Sequence, residues 1–157
     1  MALIVQKFGG TSVGTLDRIR NVAARAIATQ KRGHDVVLIV SAMSGETNRL
    51  LKLAHDVAPI PDAREMDALA ATGEQVSAAL TAIAIQSQGA LARSLLGHQV
   101  KIQTDSAHTK ARIKAISSAK IFETLQKGEI VGHGSAPFPG TSAPSWLVSW
   151  TPPPTTR

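Results

Sequence analysis

Val5-Gln6-Lys7-Phe8-Gly9-Gly10-Thr11-Ser12 joins an apolar run to a lysine, two glycines and two hydroxyl residues, and a helix-like pattern begins directly after it. Leu3, Ile4, Val5 and Phe8 read as a short buried strand. Gly9-Gly10 lets the backbone turn and come close to a ligand, and Thr11, Ser12 or Thr15 can cap the helix that follows. A helix N-terminus offers unpaired N–H groups and a partial positive charge, so a phosphate placed there gains hydrogen bonds and favourable electrostatics together. Lys7 adds a full charge. On these residues alone, an anion cradle and an ordinary strand-to-helix turn with an exposed lysine fit equally well. The lysine precedes the glycines, so the stretch matches neither G-x-x-x-x-G-K-[ST] nor G-x-G-x-x-G.

Downstream, Ile19, Val22, Ala23, Ala26 and Ile27 recur at helical spacing, and Gly33 ends the pattern. Val36-Val37-Leu38-Ile39-Val40 is the continuous apolar run of a strand covered on both faces, as in parallel sheets. Strand, helix and strand predict a parallel pair joined by a right-handed crossover. The second strand leads into Ser41-Ala42-Met43-Ser44-Gly45-Glu46-Thr47-Asn48, again small and polar, and then into a helical pattern at Leu50, Leu53 and Ala54. In open parallel sheets ligands sit outside the carboxyl ends of the strands, so the two loops are expected on one side. Taken singly, Ser44 or Thr47 is equally a helix cap.

Pro59 and Pro61 precede a long helical pattern in which Met66, Leu69, Ala70, Val76, Leu80, Ile83 and Ala84 share a face. Thr72-Gly73-Glu74 interrupts it and predicts a joint between two helices, with Glu74 either aimed into a site or facing solvent at the bend. Ala90 to Leu96 and Val100 to Thr104 are strand candidates, followed by the polar loop Asp105-Ser106-Ala107-His108-Thr109-Lys110. Ile121, Phe122 and Leu125 mark a short helix closed by Gly128, and Glu129-Ile130-Val131 opens a strand that is expected to stop there. From Gly132 to Arg157 the composition changes: six of the eight prolines and both tryptophans lie in this stretch, and Arg157 is its one charged residue apart from His133. A loosely packed tail is expected from 132 to 157.

At 157 residues with 43% hydrophobic content, the chain is long enough for one domain with a core. It shows no run of 18 apolar residues and no leader, so neither a membrane span nor secretion is expected, and the location expected is cytoplasmic. Zero cysteines exclude disulfides, thiolate metal sites and cysteine nucleophiles, and the five dispersed histidines match no metal-ligand spacing. The net charge of +6 suits an anionic partner, but the basic residues are scattered and aromatics total 3%, which favours a small ligand over nucleic acid.

Lys7-Phe8-Gly9-Gly10-Thr11-Ser12, Val40 to Asn48, Thr72-Gly73-Glu74-Gln75 and Thr104 to Ala111, in this order, closely resemble the N-terminal part of bacterial aspartate kinases over residues 1 to 131. The resemblance implies a truncated amino-acid-kinase fold: an α/β, three-layer αβα, carbamate-kinase-like arrangement with a mainly parallel sheet. It also implies transfer of the ATP γ-phosphoryl group to the β-carboxylate of L-aspartate, with Mg2+ bridging the phosphates. Lys7 would be catalytic, binding the transferring phosphate, with Phe8, Gly9, Gly10, Thr11, Ser12 and Ser41 around the nucleotide. Gly45, Glu46, Thr47, Asn48 and Glu74 would line the aspartate pocket, Glu74 facing the α-ammonium group. The family's G-R-G-G-S-D segment, nucleotide-binding half and C-terminal ACT domains find no match after Val131, so little activity is expected from the chain by itself. Alternatives are a non-catalytic module that docks on intact kinase subunits or sequesters ligand, or a kinase of the same fold acting on another acceptor; the partners expected are ATP, L-aspartate, and a second copy of the chain or intact kinase chains.

Overall fold

The computed structural model describes residues 1–100, 102–104 and 112–134. The polar loop expected at 105–110 and the tail from 135 onward lie outside them, as does Lys101 within the predicted strand at 100–104. Among the described residues ten elements follow in order: β1 (Leu3–Phe8), α1 (Leu16–Lys31), β2 (Asp35–Val40), α2 (Glu46–Val57), α3 (Ala63–Ser87), β3 (Ala92–Leu95), β4 (Ile102–Thr104), β5 (Ile113–Ile116), α4 (Ala119–Gln126) and β6 (Ile130–Gly134). A parallel sheet has the order β1-β2-β6-β3, and β4 and β5 form a separate antiparallel pair. The α/β expectation holds. The strand β5 had no counterpart in the sequence reading.

Strand alternation distributes the core between two faces of the sheet. Phe8, Val36, Leu38, Val40 and Ile130 pack under α1 and α3, together with Ile19, Val22, Ala23, Ala26 and Ile27 of α1 and Ala78, Ala82 and Ile85 of α3. Val37, Leu95 and Val131 face the other way, under Ile121, Phe122 and Leu125 of α4. These are three layers, helix on sheet on helix. The second helical layer is thin, since α4 packs against β6 and leaves the outer part of β1 uncovered. For that reason β1 is not the buried strand expected: Leu3 and Ile4 are half-buried, Val5 is 38% exposed, and Phe8 alone is buried. β2, flanked on both sides, is buried almost throughout, as its continuous apolar run predicts.

The long helix departs from expectation in two ways. First, α3 runs unbroken through Gly73, so there is no joint. Glycine in a helix interior costs about 1 kcal/mol relative to alanine, and close packing offsets that cost here. A Cβ on Gly73 would stand 3.1 Å from the Ala42 Cβ and 3.3 Å from Leu50 Cδ1. Second, its buried face is made, apart from Ile85, of small and hydroxyl residues: Ala70, Gly73, Ser77, Ala78, Thr81, Ala82 and Ala84. Val76 and Ile83, grouped by the sequence pattern on one face with Ala70 and Ala84, are 48% and 59% exposed, whereas those two alanines are buried. The buried hydroxyls are satisfied within the helix, Ser77 donating to the Gly73 carbonyl (3.3 Å) and Thr81 to that of Ser77 (2.8 Å). By length and composition α3 could cross a bilayer, which amends the expectation of no such segment, but it packs between α1, α2 and the sheet.

β6 also outruns its expected end. It continues past Val131 through Gly132, His133 and Gly134, pairing with β2 and β3. The two glycines let α3 lie close: a Cβ on Gly132 would meet the Ala78 carbonyl at 3.6 Å, and one on Gly134 would lie 2.9 Å from the Glu74 Cβ. Four helical residues advance about 6 Å and two strand residues about 6.6 Å, so the contacts stay in step as α3 passes antiparallel over β6. Gly134→Ala is therefore expected to destabilise by about 1–3 kcal/mol through overpacking, while Gly132→Ala stays within about 0.5 kcal/mol. Urea titration of the two variants checks the contrast.

Candidate functional site

The parallel register brings the carboxyl ends of three strands into line, with Phe8 beside Val40 and Val40 beside Gly134. The loops after β1 and β2 therefore leave the sheet on one side, as expected, and the Ser41 N–H donates to the Phe8 carbonyl at 3.0 Å. The loop after β1 is compact. The Ser12 N–H donates to the Gly9 carbonyl (2.9 Å), and Thr15 Oγ1 caps α1 by accepting from the Arg18 N–H (3.3 Å). The Arg18 guanidinium reaches back to the Thr11 carbonyl. Thr11 and Ser12 are exposed, and the position of a Cβ on Gly9 is open space, so this side of the loop is accessible to a ligand.

Lys7 is the penultimate residue of β1 and is exposed. Its neighbours Gln6 and Phe8 turn toward α1, Gln6 Nε2 donating to Thr29 Oγ1 at 2.9 Å, so Lys7 leaves from the opposite face. Glu74, half-buried on α3, approaches the same strand ends from the α3 face beside Gly134. A cation and a carboxylate thus start on either side of one sheet edge.

The loop after β2 ends at Gly45, whose φ of +81° starts α2 without a side-chain cap. Thr47 is half-buried and Asn48 exposed in the first turn. Glu46 is engaged locally: Arg49 Nε and Nη2 donate to its two carboxylate oxygens at 2.9 and 2.7 Å, and this hydrogen bonding holds its carboxyl below the usual range. Among the residues singled out by sequence, the structure joins Gly10, the 41–45 loop and the Gly73-Glu74 turn in one contact group through Ala42.

Four contributors escaped the sequence reading: Ala42, Arg18, His133 and Gly134. The first had no distinguishing chemistry, and the last two fell within the stretch expected to lie outside the fold. His133 shares a row and a face with Lys7 and Ile39, two strand spacings or about 10 Å from Lys7. It is 9% exposed, its Nδ1 sits against the Gly134 carbonyl, and its Nε2 has no partner among the described residues. Burial pushes its pKa down, the Gly134 carbonyl acting weakly the other way. The unfolded chain therefore takes up the proton first as pH falls through about 6.5, and stability is lost on acidification. The temperature of thermal unfolding is expected to fall between about pH 7.5 and about pH 5.5, and by less in His133→Gln.

Comparison with known proteins places this geometry. The model of the amino acid kinase family matches residues 2–142. An aspartate kinase of Stutzerimonas stutzeri is 53% identical over 131 residues, covering 83% of this chain and 32% of that protein. The aspartokinase of Corynebacterium glutamicum is 49% identical over 130 residues, covering 83% and 31%. The solved aspartate kinase from Synechocystis superposes with a TM-score of 0.73 at 42% identity, over 85% of this chain and 21% of that one. E. coli aspartokinase III in complex with aspartate and ADP gives a TM-score of 0.72 at 18% identity, over 86% and 41%, and attests the fold. The chain thus spans about a third of the length of the curated relatives it matches. It belongs to the amino acid kinase family, and the two curated relatives named above are aspartokinases.

Proposed function

We propose that this chain carries the phosphate-loop and acceptor half of an aspartokinase site, whose complete form transfers the ATP γ-phosphoryl group to the β-carboxylate of L-aspartate. The observation that carries it is the convergence, on one edge of a parallel sheet, of the glycine loop, the 41–48 segment and the Glu74 turn of α3. A carboxylate attacking a phosphate brings two anions together, so catalysis consists mainly of positioning and charge neutralisation.

In this reading Lys7 binds the oxygens of the transferring phosphate, and the backbone N–H groups of Gly9 and Gly10 add hydrogen bonds. Phe8 anchors the loop from the core, while Thr11, Ser12 and Ser41 offer hydroxyls toward the nucleotide. Gly45, Thr47 and Asn48 border the acceptor, Glu46 reaching it only on leaving Arg49, and Glu74 accepts from the substrate α-ammonium group. The described residues hold no cluster of three or more metal-ligating side chains. Mg2+, which neutralises phosphate charge when bound, would thus take most of its ligands from the nucleotide and water.

Calorimetric melting of the purified chain with MgADP and with L-aspartate tests the binding reading. Each ligand is expected to raise the melting temperature, and no shift with either overturns the assignment. An ATP- and aspartate-dependent hydroxamate assay tests completeness. Turnover near background is expected, and turnover matching a full-length aspartokinase refutes the half-site reading. A second reading, docking on intact kinase subunits, is favoured by the outward-facing Val76 and Ile83 on α3. Co-elution with a full-length aspartokinase checks it.

A further inference from the structure

Three glycines and one alanine tie the two halves of the candidate site together, although none of them carries a side-chain group that could bind or react. A Cβ on Gly10 would lie 2.8 Å from the Ala42 carbonyl oxygen, and one on Gly14 would lie 3.2 Å from the Ser44 Cβ. On α3, a Cβ on Gly73 would lie 3.1 Å from the Ala42 Cβ, 3.3 Å from Leu50 Cδ1 and 3.4 Å from Glu46 Cγ. Ala42 itself is 5% exposed. Its carbonyl faces Gly10 and its methyl faces Gly73 on the helix turn that carries Glu74, with no room for a side chain in between on either side.

We propose that Ala42 is a positioning residue: wedged between Gly10 and Gly73, it sets the separation between the phosphate loop and the Glu74 turn of α3. The two partners of the reaction are then held at one spacing by a glycine–alanine–glycine stack. Close-packed interiors pass displacements on because no void absorbs them. A shift of Gly73 is taken up by the Ala42 methyl, then by the Ala42 backbone, and then by Gly10. In a reaction governed by alignment, a misplacement of about 1 Å costs about 100-fold in rate, so this spacing is a catalytic variable even though no atom of the stack touches substrate. The functional part of the proposal rests on the assignment of the two subsites made above; the steric link does not.

The test uses the purified chain and the variants Gly73→Ala, Ala42→Gly/Gly73→Ala, and Ile85→Val as a core control on the same helix. Amide hydrogen exchange is followed at Gly9 to Gly14, and MgADP and L-aspartate affinities are measured by ligand-induced thermal shift. Gly73→Ala is expected to speed exchange in the Gly9–Gly14 loop, which Gly73 does not touch, by about tenfold. It is also expected to weaken both ligands. Ala42→Gly/Gly73→Ala removes the opposing methyl and is expected to restore slow exchange and affinity, whereas Ile85→Val lowers the melting temperature without altering either. Exchange changes confined to α2 and α3, or a double variant no better than Gly73→Ala, overturn the proposal. Should Gly73→Ala fail to fold, a folded double variant supports the stack and an unfolded one overturns it. If the parent chain binds neither ligand, the subsite assignment fails while the exchange pattern still decides the steric link.

Discussion

Lys7→Ala will weaken binding of a non-hydrolysable MgATP analogue by about 10- to 100-fold while leaving the melting temperature nearly unchanged. The separation of the two effects follows from where the lysine sits. It is the penultimate residue of an edge strand, it is exposed, and it leaves the sheet on the face opposite α1 and α3. No core contact depends on it, and surface substitutions of this kind stay within about 0.5 kcal/mol of stability. A charged hydrogen bond to phosphate contributes about 1.5–3 kcal/mol, which gives the expected loss of affinity. Lys7→Arg keeps the charge but spreads it over a planar fork, so partial recovery is expected. Isothermal titration at two salt concentrations checks the assignment. The parent chain should bind more weakly at high salt, and Lys7→Ala should show less of this dependence. Equal affinities in parent and variant would remove Lys7 from the phosphate site.

Leu38→Ala will lower the unfolding free energy by about 3 kcal/mol, with a fall in melting temperature of roughly 6–12 °C. Leu38 is 0% exposed at the centre of β2, between β1 and β6, and points into the layer shared with α1 and α3. Its truncation leaves a cavity that strands on both sides and helices above cannot close. Val5→Ala is the informative contrast. Val5 is as apolar in sequence, yet it is 38% exposed on the uncovered side of β1, and its truncation should cost less than about 1 kcal/mol. Chemical denaturation of both variants, with unchanged slopes, measures the difference. Comparable losses would mean that the second helical layer covers β1 after all.

What the sequence made legible was local and periodic. The helix α1 came from the spacing of Ile19, Val22, Ala23, Ala26 and Ile27, all of which are buried. The parallel pair β1 and β2 came from two apolar runs around that helix, and the shared side of the two loops followed from parallelism. The short helix α4 came from Ile121, Phe122 and Leu125. The ordered motifs around Gly9-Gly10, Ser41 to Asn48 and Gly73-Glu74 were enough to indicate the family, because backbone turns and exposed polar groups leave a residue-type signature wherever they occur.

The errors share a cause. Gly73 reads as a break if only the helix's own propensity is considered, yet α3 continues through it because Ala42 and Leu50 occupy the space a side chain would need. Val76 and Ile83 read as core by hydrophobicity, but Ser77, Thr81 and the alanines are the residues narrow enough to let α3 approach the sheet. Gly132 and Gly134 read as the start of a different segment, yet they extend β6 under that helix for the same reason.

The sequence by itself therefore determined the family, the order of strands and helices apart from β5 and the expected joint in α3, and the polar groups carried by the strand-end loops. Only the tertiary structure decided which apolar residues are inside, that β6 runs past Val131 to Gly134, and that Ala42 lies between the Gly9-Gly10 loop and the turn bearing Glu74. The physical reason is that periodicity and turn chemistry are written residue by residue along the chain. Closeness of approach, by contrast, is a property of two surfaces that meet only after folding, and a missing side chain on one has meaning only through the atom that fills its place.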